Sequence, residues 1–320
     1  MKKYFDNYYD WWKNIDKYIF SLILILFFLG LFFSLVSTSL IASDKLDTNS
    51  YYFFIKHFIF IILGITALII FSFLKEEILF KSSVILFIIS LIALALVPLI
   101  GIEVKGSKRW IDLGFLPRFQ PIEIIKPFFI IILSTLLCLK KNNLYFKYLL
   151  STIILFPILL LLIFQPDLGQ TLIIAMVWLT LIFVSGINIY LFFIFFTAVF
   201  SIASYLIFFV SKFQYIKFRL MAFINSSDVG NYQAEKASDA IISGGFFGKG
   251  IGEGTLNLKI PEAHTDYIVS VVSEEFGAII VLIIILLYLM FAYKIIQKIN
   301  FINIEKNKLI LIGSVSLILL

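Results

Sequence analysis

Windows of about 20 consecutive apolar residues, the length that spans a bilayer's hydrocarbon core, recur along most of this chain. The chain is 61% hydrophobic and 14% charged, with a mean hydropathy of +1.05. Soluble domains run near half apolar and a quarter charged. Only lipid solvates that much apolar surface, so the chain reads as an all-α polytopic membrane protein. Helices are predicted near residues 18–42, 51–74, 82–101, 122–139, 148–164, 170–187, 189–210, 267–293 and 308–320. The last is too short to cross, so the chain reads as ending within its ninth helix. One membrane domain covers residues 1–320, with no soluble module and no internal repeat. No convincing pair of broken helices marks an inverted-repeat transporter.

The net charge of +6 is spread over loops on both sides and is no nucleic-acid signal. Short-loop lysines set orientation. Lys2, Lys3, Lys13, Lys75, Lys140 and Lys294 all fall on one face, which makes it the cytoplasmic one. The N-terminal tail, residues 1–17, is then inside. Residues 102–121 then fall outside, and seven crossings put 211–265 outside as well. The tail is polar and aromatic (Tyr4, Tyr8, Tyr9, Trp11, Trp12), the composition of an interfacial anchor. The first apolar run is too long for a signal peptide and lacks a small-residue cleavage site, so it reads as a signal anchor. Cys138 is the single cysteine; no disulfide forms within the chain, and the thiol sits on a helix face.

Polar chemistry is confined to a few segments. Residues 101–126 hold Gly106, Gly114, Pro117 and Pro121, which make turns. Trp110 and Ile111 fold this loop back toward the membrane. Gln120-Pro121 opens a helix, since proline in the first turn loses no hydrogen bond. Glu123 and Lys126, three apart, share a helix face: they form either an interfacial ion pair or a pair facing a cavity. Gln165-Pro166-Asp167-Leu168-Gly169 is a tight turn between helices, where Asp167 serves as an N-cap or as a functional carboxylate.

Residues 211–265 form a connection far longer than usual. Ala234–Ile242 has helical character. Residues 244–254 are glycine-rich, which exposes backbone N–H groups to a phosphate or simply makes a re-entrant turn. The segment ends in Pro261-Glu262-Ala263-His264-Thr265-Asp266, and Glu274-Glu275 follow inside an apolar helix. Ionisable groups in such helices normally face a cavity or a partner.

Taken in order, these segments resemble the SEDS family of bacterial cell-wall polymerases, with its FtsW, RodA and SpoVE types. The likeness runs from about the first helix to Leu320. It rests on Gly106-Ser107-Lys108-Arg109-Trp110-Ile111, Gln120-Pro121-Ile122-Glu123-Ile124-Ile125-Lys126 and residues 165–169. It continues through Tyr232-Gln233, Ala240-Ile241, Gly244-Gly245 and Gly248-Lys249-Gly250, and ends with residues 261–266 and Glu274-Glu275-Phe276-Gly277. Ala263 and the Lys126-Pro127 pair are most similar to the division type, FtsW. The elongation type, RodA, more often has a larger or charged residue at the Ala263 position. Ile122 departs from the family's small residue there, which implies a local packing change.

The resemblance implies about ten helices, one large extracytoplasmic loop, and a glycosyltransferase of the bacterial inner membrane at the division septum. It implies that lipid II is polymerised on the periplasmic face: the 4-hydroxyl of GlcNAc displaces undecaprenyl pyrophosphate from C1 of MurNAc, with inversion. Asp266 is the implied general base, with His264 a weaker candidate. An ordinary aspartate is a weak base, so desolvation or nearby carboxylates such as Glu262 and Glu274 would help it. Arg109, Arg118, Lys126 and Lys249 are implied for the leaving pyrophosphate. Gln120, Glu123, Asp167, Gln233, Glu262, His264, Glu274 and Glu275 are implied to support the cavity. Mg²⁺ or Mn²⁺ is the implied cofactor, with no ligand set legible. The implied partners are a class B penicillin-binding protein of the FtsI type and other divisome membrane proteins. A lipid II flippase, a non-catalytic division scaffold and a RodA-type polymerase are the competing readings.

Overall fold

The computed structural model describes residues 9–36, 51–104, 107–114, 118–139, 143–214, 216–217, 221, 232–256, 259–260, 263 and 267–320. Its helices are α1 (Lys17–Val36), α2 (Tyr52–Phe73), α3 (Glu76–Ile100), α4 (Pro121–Leu137), α5 (Leu144–Phe164), α6 (Leu168–Val184) and α7 (Ile189–Phe209). They continue with α8 (Tyr232–Gly244), α9 (Ile268–Phe276), α10 (Ala278–Ile299) and α11 (Glu305–Leu319). Among the described residues, α1, α2, α3, α5 (from Tyr145), α7 and α10 are long and apolar enough to cross a membrane. Two compact units divide the chain: residues Met1–Leu74 with Met221–Lys294, and Lys75–Leu220 with Ile295–Leu320.

In the first unit, α1 and α2 pack together, as do α8 and α9. Residues 9–14 are helical. There Trp11 stacks on Phe73 at 4.5 Å and donates Nε1–H to Ser72 Oγ at 2.9 Å. The predicted continuous helix over 267–293 is two helices. At the junction Gly277 has φ +86°, and a Cβ there would lie 2.2 Å from Phe246 O. The close approach of the glycine-rich turn thus forces a backbone conformation that only glycine adopts easily. Apolar periodicity runs on across the break, so the sequence pattern does not reveal it.

In the second unit, α3 packs on α4, and α11 packs on α4 and α6. Gly313 of α11 would place a Cβ 2.7 Å from Ile130, so its small size sets the helix spacing. The loop expected at 101–126 contains a hairpin instead: β1 (Ile102–Val104) pairs antiparallel with β2 (Ser107–Trp110). Ile111 and Phe119 add an isolated bridge, and Ile111 is buried. The strands are too short for alternation to announce them. Pro121 opens α4 with Gln120 as its N-cap, as predicted. Ile122 is fully buried in the core.

Candidate functional site

In the second unit, motif residues converge around the α5–α6 turn. Asp167 caps α6, its Oδ1 accepting from Gln170 N at 3.4 Å. Its main-chain carbonyl accepts from Thr171 Oγ1 at 2.7 Å. Arg109 reaches in from β2. Its Nε donates to Gln165 O at 3.4 Å and lies 3.6 Å from Asp167 Oδ2, and its other arm donates to Pro166 O. Gln120 Nε2 donates to Asp167 Oδ2 at 3.3 Å. The carboxylate is thus the N-cap that one sequence reading expects, and it also lies against the Arg109 guanidinium. Burial pushes the Asp167 carboxyl above its usual range, against the pull of Arg109.

Glu123 and Lys126 pair at 2.8 Å, with the lysine buried and the glutamate half exposed. Gln170 links this pair to the turn, donating Nε2–H to Glu123 Oε1 at 2.9 Å. The sequence reading missed Gln170. Its signal was the three-residue spacing from Asp167, which places both on one helix face. Gln165, read only as part of the turn, is buried and donates to Leu94 O at 2.9 Å. Pro98 lies inside α3 and has no N–H, so Leu94 O lacks its helical donor; Gln165 supplies one. Arg118 lies apart from this cluster, bonded to Asp112 at 2.9 Å. Gly114 N–H and then Arg118 hold the Asp112 carboxyl below its usual range.

In the first unit, Glu274 is fully buried. Its Oε1 accepts from Lys249 Nζ at 3.0 Å, from Thr255 N at 3.0 Å and from Leu256 N at 3.2 Å. Its Oε2 is buried with no partner among the described residues. Glu275 is also buried. The glycine-rich run directs its N–H groups inward: Gly248, Lys249 and Gly250 donate to the carbonyls of Gly244, Glu274 and Glu275. These three donors are thereby engaged within the protein. A small core joins Ala240, Ile260, Ala263 and Val271, with Tyr267 against it. Ala263 and Tyr267 flank residues 264–266 in sequence. Pro261, Glu262, His264, Thr265 and Asp266, and the side chain of Gln233, lie outside the described residues.

A cavity of about 400 Å³ opens among α1, α2, α9 and α10, lined by Gly30, Phe33, His57, Val272 and Tyr288 with neighbouring aliphatics. Gly30 gives the imidazole room: a Cβ there would lie 3.1 Å from His57 Nε2. Sequence reasoning did not single out His57, which appears as a lone histidine in an apolar run. Among the described residues, no group of three or more His, Cys, Asp or Glu side chains converges to hold a metal ion.

Six helices among the described residues that are long and apolar enough to cross a bilayer define a multi-pass membrane protein. Residues 16–320 match the family described as cell cycle protein, FtsW/RodA/SpoVE, and the chain belongs to that family. A relative from Buchnera aphidicola (subsp. Acyrthosiphon pisum), named probable peptidoglycan glycosyltransferase FtsW, is 36% identical over 273 residues, covering 82% of this chain and 67% of its own. A protein of the same name from Idiomarina loihiensis is 30% identical over 287 residues, covering 87% and 69%. Two solved structures share the fold. One, from a peptidoglycan synthase complex, has a TM-score of 0.73 at 22% identity, covering 95% of this chain and 84% of that one. Rod shape determining protein RodA of Thermus thermophilus has a TM-score of 0.65 at 22% identity, covering 96% and 82%.

Proposed function

We infer that this chain is a peptidoglycan glycosyltransferase, a septal polymerase of the FtsW type. The observation that carries this is its likeness, over four fifths of its length, to relatives bearing that name. Lipid II is the substrate in this reading. The GlcNAc O4 forms a bond to C1 of MurNAc. The bond from C1 to the pyrophosphate oxygen breaks, and that oxygen leaves with the electron pair. Asp266 takes the hydroxyl proton, and it needs to stand within hydrogen-bond reach of O4 to do so.

The described cations begin compensated. Lys126 and Lys249 sit on carboxylates, and Arg109 clamps the α5–α6 turn. Arg118, with 60% of its side chain exposed, is the most accessible of the four and the best placed to exchange its aspartate for a phosphate oxygen. The described residues do not make a metal cage. Mg²⁺ or Mn²⁺ carried on the substrate's pyrophosphate needs few protein ligands. The apolar cavity beside His57 suits an isoprenoid chain. The N-terminus is cytoplasmic and the loop carrying Asp266 periplasmic, at the septum. A class B penicillin-binding protein cross-links the product, alongside other divisome membrane proteins.

The test is a gel assay of the purified protein with that partner, on labelled lipid II with and without Mg²⁺ or Mn²⁺, beside Asp266→Asn. Wild type yields a glycan ladder and the folded variant none. A ladder from both rejects Asp266 as base. No ladder from folded wild type, with labelled monomer crossing liposomes instead, replaces the polymerase with a flippase.

A further inference from the structure

The end of α8 and the turn after it carry the most exposed apolar side chains of their region. Phe247 is 85% exposed, Ile242 74% and Phe246 72%. In a water-facing loop such a cluster is a liability. The surrounding geometry gives its depth.

Helix α10 has 22 residues, about 33 Å at 1.5 Å per residue, against a hydrocarbon core of about 30 Å. It runs antiparallel to α1, and contacts at two levels fix the register. At one end Lys294 Nζ lies 4.9 Å from the Tyr18 ring. At the other, Phe276 packs on Phe32 and Phe33 at 5.9 and 5.4 Å. Gly277 is thus level with Phe33, which lies about 24 Å along α1 from Lys17.

The turn is bonded to that same level. Ala278 N donates to Gly245 O at 2.9 Å, and Ile279 N to Phe246 O at 3.4 Å. These bonds close the N-terminus of a spanning helix with carbonyls of the turn. In return Gly248, Lys249 and Gly250 have their N–H groups satisfied within the turn or by α9. Irregular backbone survives at hydrocarbon depth only when its polar groups are satisfied by protein or line a cavity. Glycine makes the seal close enough: Cβ atoms at Gly244, Gly248 and Gly277 would all come within 2.3 Å of a backbone oxygen. The exposed apolar surface also runs on into the outward face of α10, through Ile279, Leu282 and Leu286.

We propose that the Gly244–Gly248 turn is embedded in the membrane, with Phe246 and Phe247 seated among the acyl chains of the leaflet at the N-terminal end of α10. The partner is the lipid itself, and the Phe pair fixes the height at which Lys249 meets Glu274. The proposal is independent of the enzymatic reading.

Cys138 is the only cysteine, so Cys138→Ala permits a single label. An environment-sensitive fluorophore is attached at Phe247→Cys, and separately at Phe246→Cys, in phosphatidylcholine–phosphatidylglycerol liposomes. Leu286→Cys is the lipid-facing reference and Glu253→Cys the aqueous one. The expected result is blue-shifted emission, quenching by nitroxide-labelled lipid comparable to the Leu286 probe, and loss of the iodide quenching seen at Glu253. Quenching by iodide without quenching by lipid overturns the proposal. Blue-shifted emission quenched by neither also overturns it, because protein then covers the pair.

Discussion

The side-chain amide of Gln165 donates to Leu94 O, the carbonyl that Pro98 leaves without a helical donor. A residue of the α5–α6 turn thereby completes a helix 71 residues earlier, and the same residue's carbonyl accepts from Arg109. The proline break and the charged turn are one construction. Gln165→Leu leaves a buried acceptor unsatisfied and is expected to cost about 1–3 kcal/mol. In a Pro98→Ala background Leu94 O regains a backbone donor, so the same substitution costs less. Thermal unfolding of the four proteins in detergent checks this; additive effects within about 0.5 kcal/mol would refute the coupling.

Glu274 carries three donors on one oxygen. Glu274→Ala strands the Lys249 charge and the N–H groups of Thr255 and Leu256. Breaking a buried pair costs about 3–5 kcal/mol, and the partial exposure of Lys249 reduces this toward about 2. Glu274→Gln keeps the acceptor and loses less. Melting temperatures should fall in the order wild type, Gln, Ala; equal losses for Gln and Ala would show that the acceptor is unimportant.

Gly277 and Gly114 both have positive φ, but only Gly277 is crowded: a Cβ at Gly114 meets nothing within 4 Å. Gly114→Ala should cost about 1 kcal/mol from backbone strain. Gly277→Ala adds a clash with Phe246 O to a strained conformation and should abolish the α9–α10 junction. Limited proteolysis and thermal shift compare them. A Gly277→Ala protein as stable as Gly114→Ala is incompatible with the described contact.

Asp167 gives a pH dependence of defined sign. An unfolded aspartate titrates near 3.8, and burial raises the native value. Through that window the native state holds the proton more tightly, so this group's contribution to stability is fullest below 3.8. It declines as pH rises through the native pKa. The stability of wild type relative to Asp167→Asn should therefore fall as the pH rises from about 3.8 through the raised native pKa. A relative stability that rises with pH above 3.8 rejects the assignment.

Much of this was legible in sequence where spacing is local. The membrane helices follow from apolar windows, α8 from residues 234–242, and the Glu123–Lys126 pair from a three-residue offset. The Gln120-Pro121 start of α4 was legible for the same reason. The Lys249–Glu274 bond joins residues 25 apart, and nothing in either neighbourhood specifies the partner. The break at Gly277 is tied to Phe246, in the turn that follows α8. The hairpin at 102–110 is too short for a period to show. Arg109 was found through its motif, but its clamp on two turn carbonyls is a tertiary fact.

Trp11 has a mechanical consequence. It stacks on Phe73 and bonds to Ser72, so the stretch preceding α1 is tied to the far end of α2. Sliding the two helices past each other by one turn, about 5.4 Å, would tear both contacts. When the surrounding bilayer thins or thickens, this pair should respond by changing tilt together, not by slipping in register.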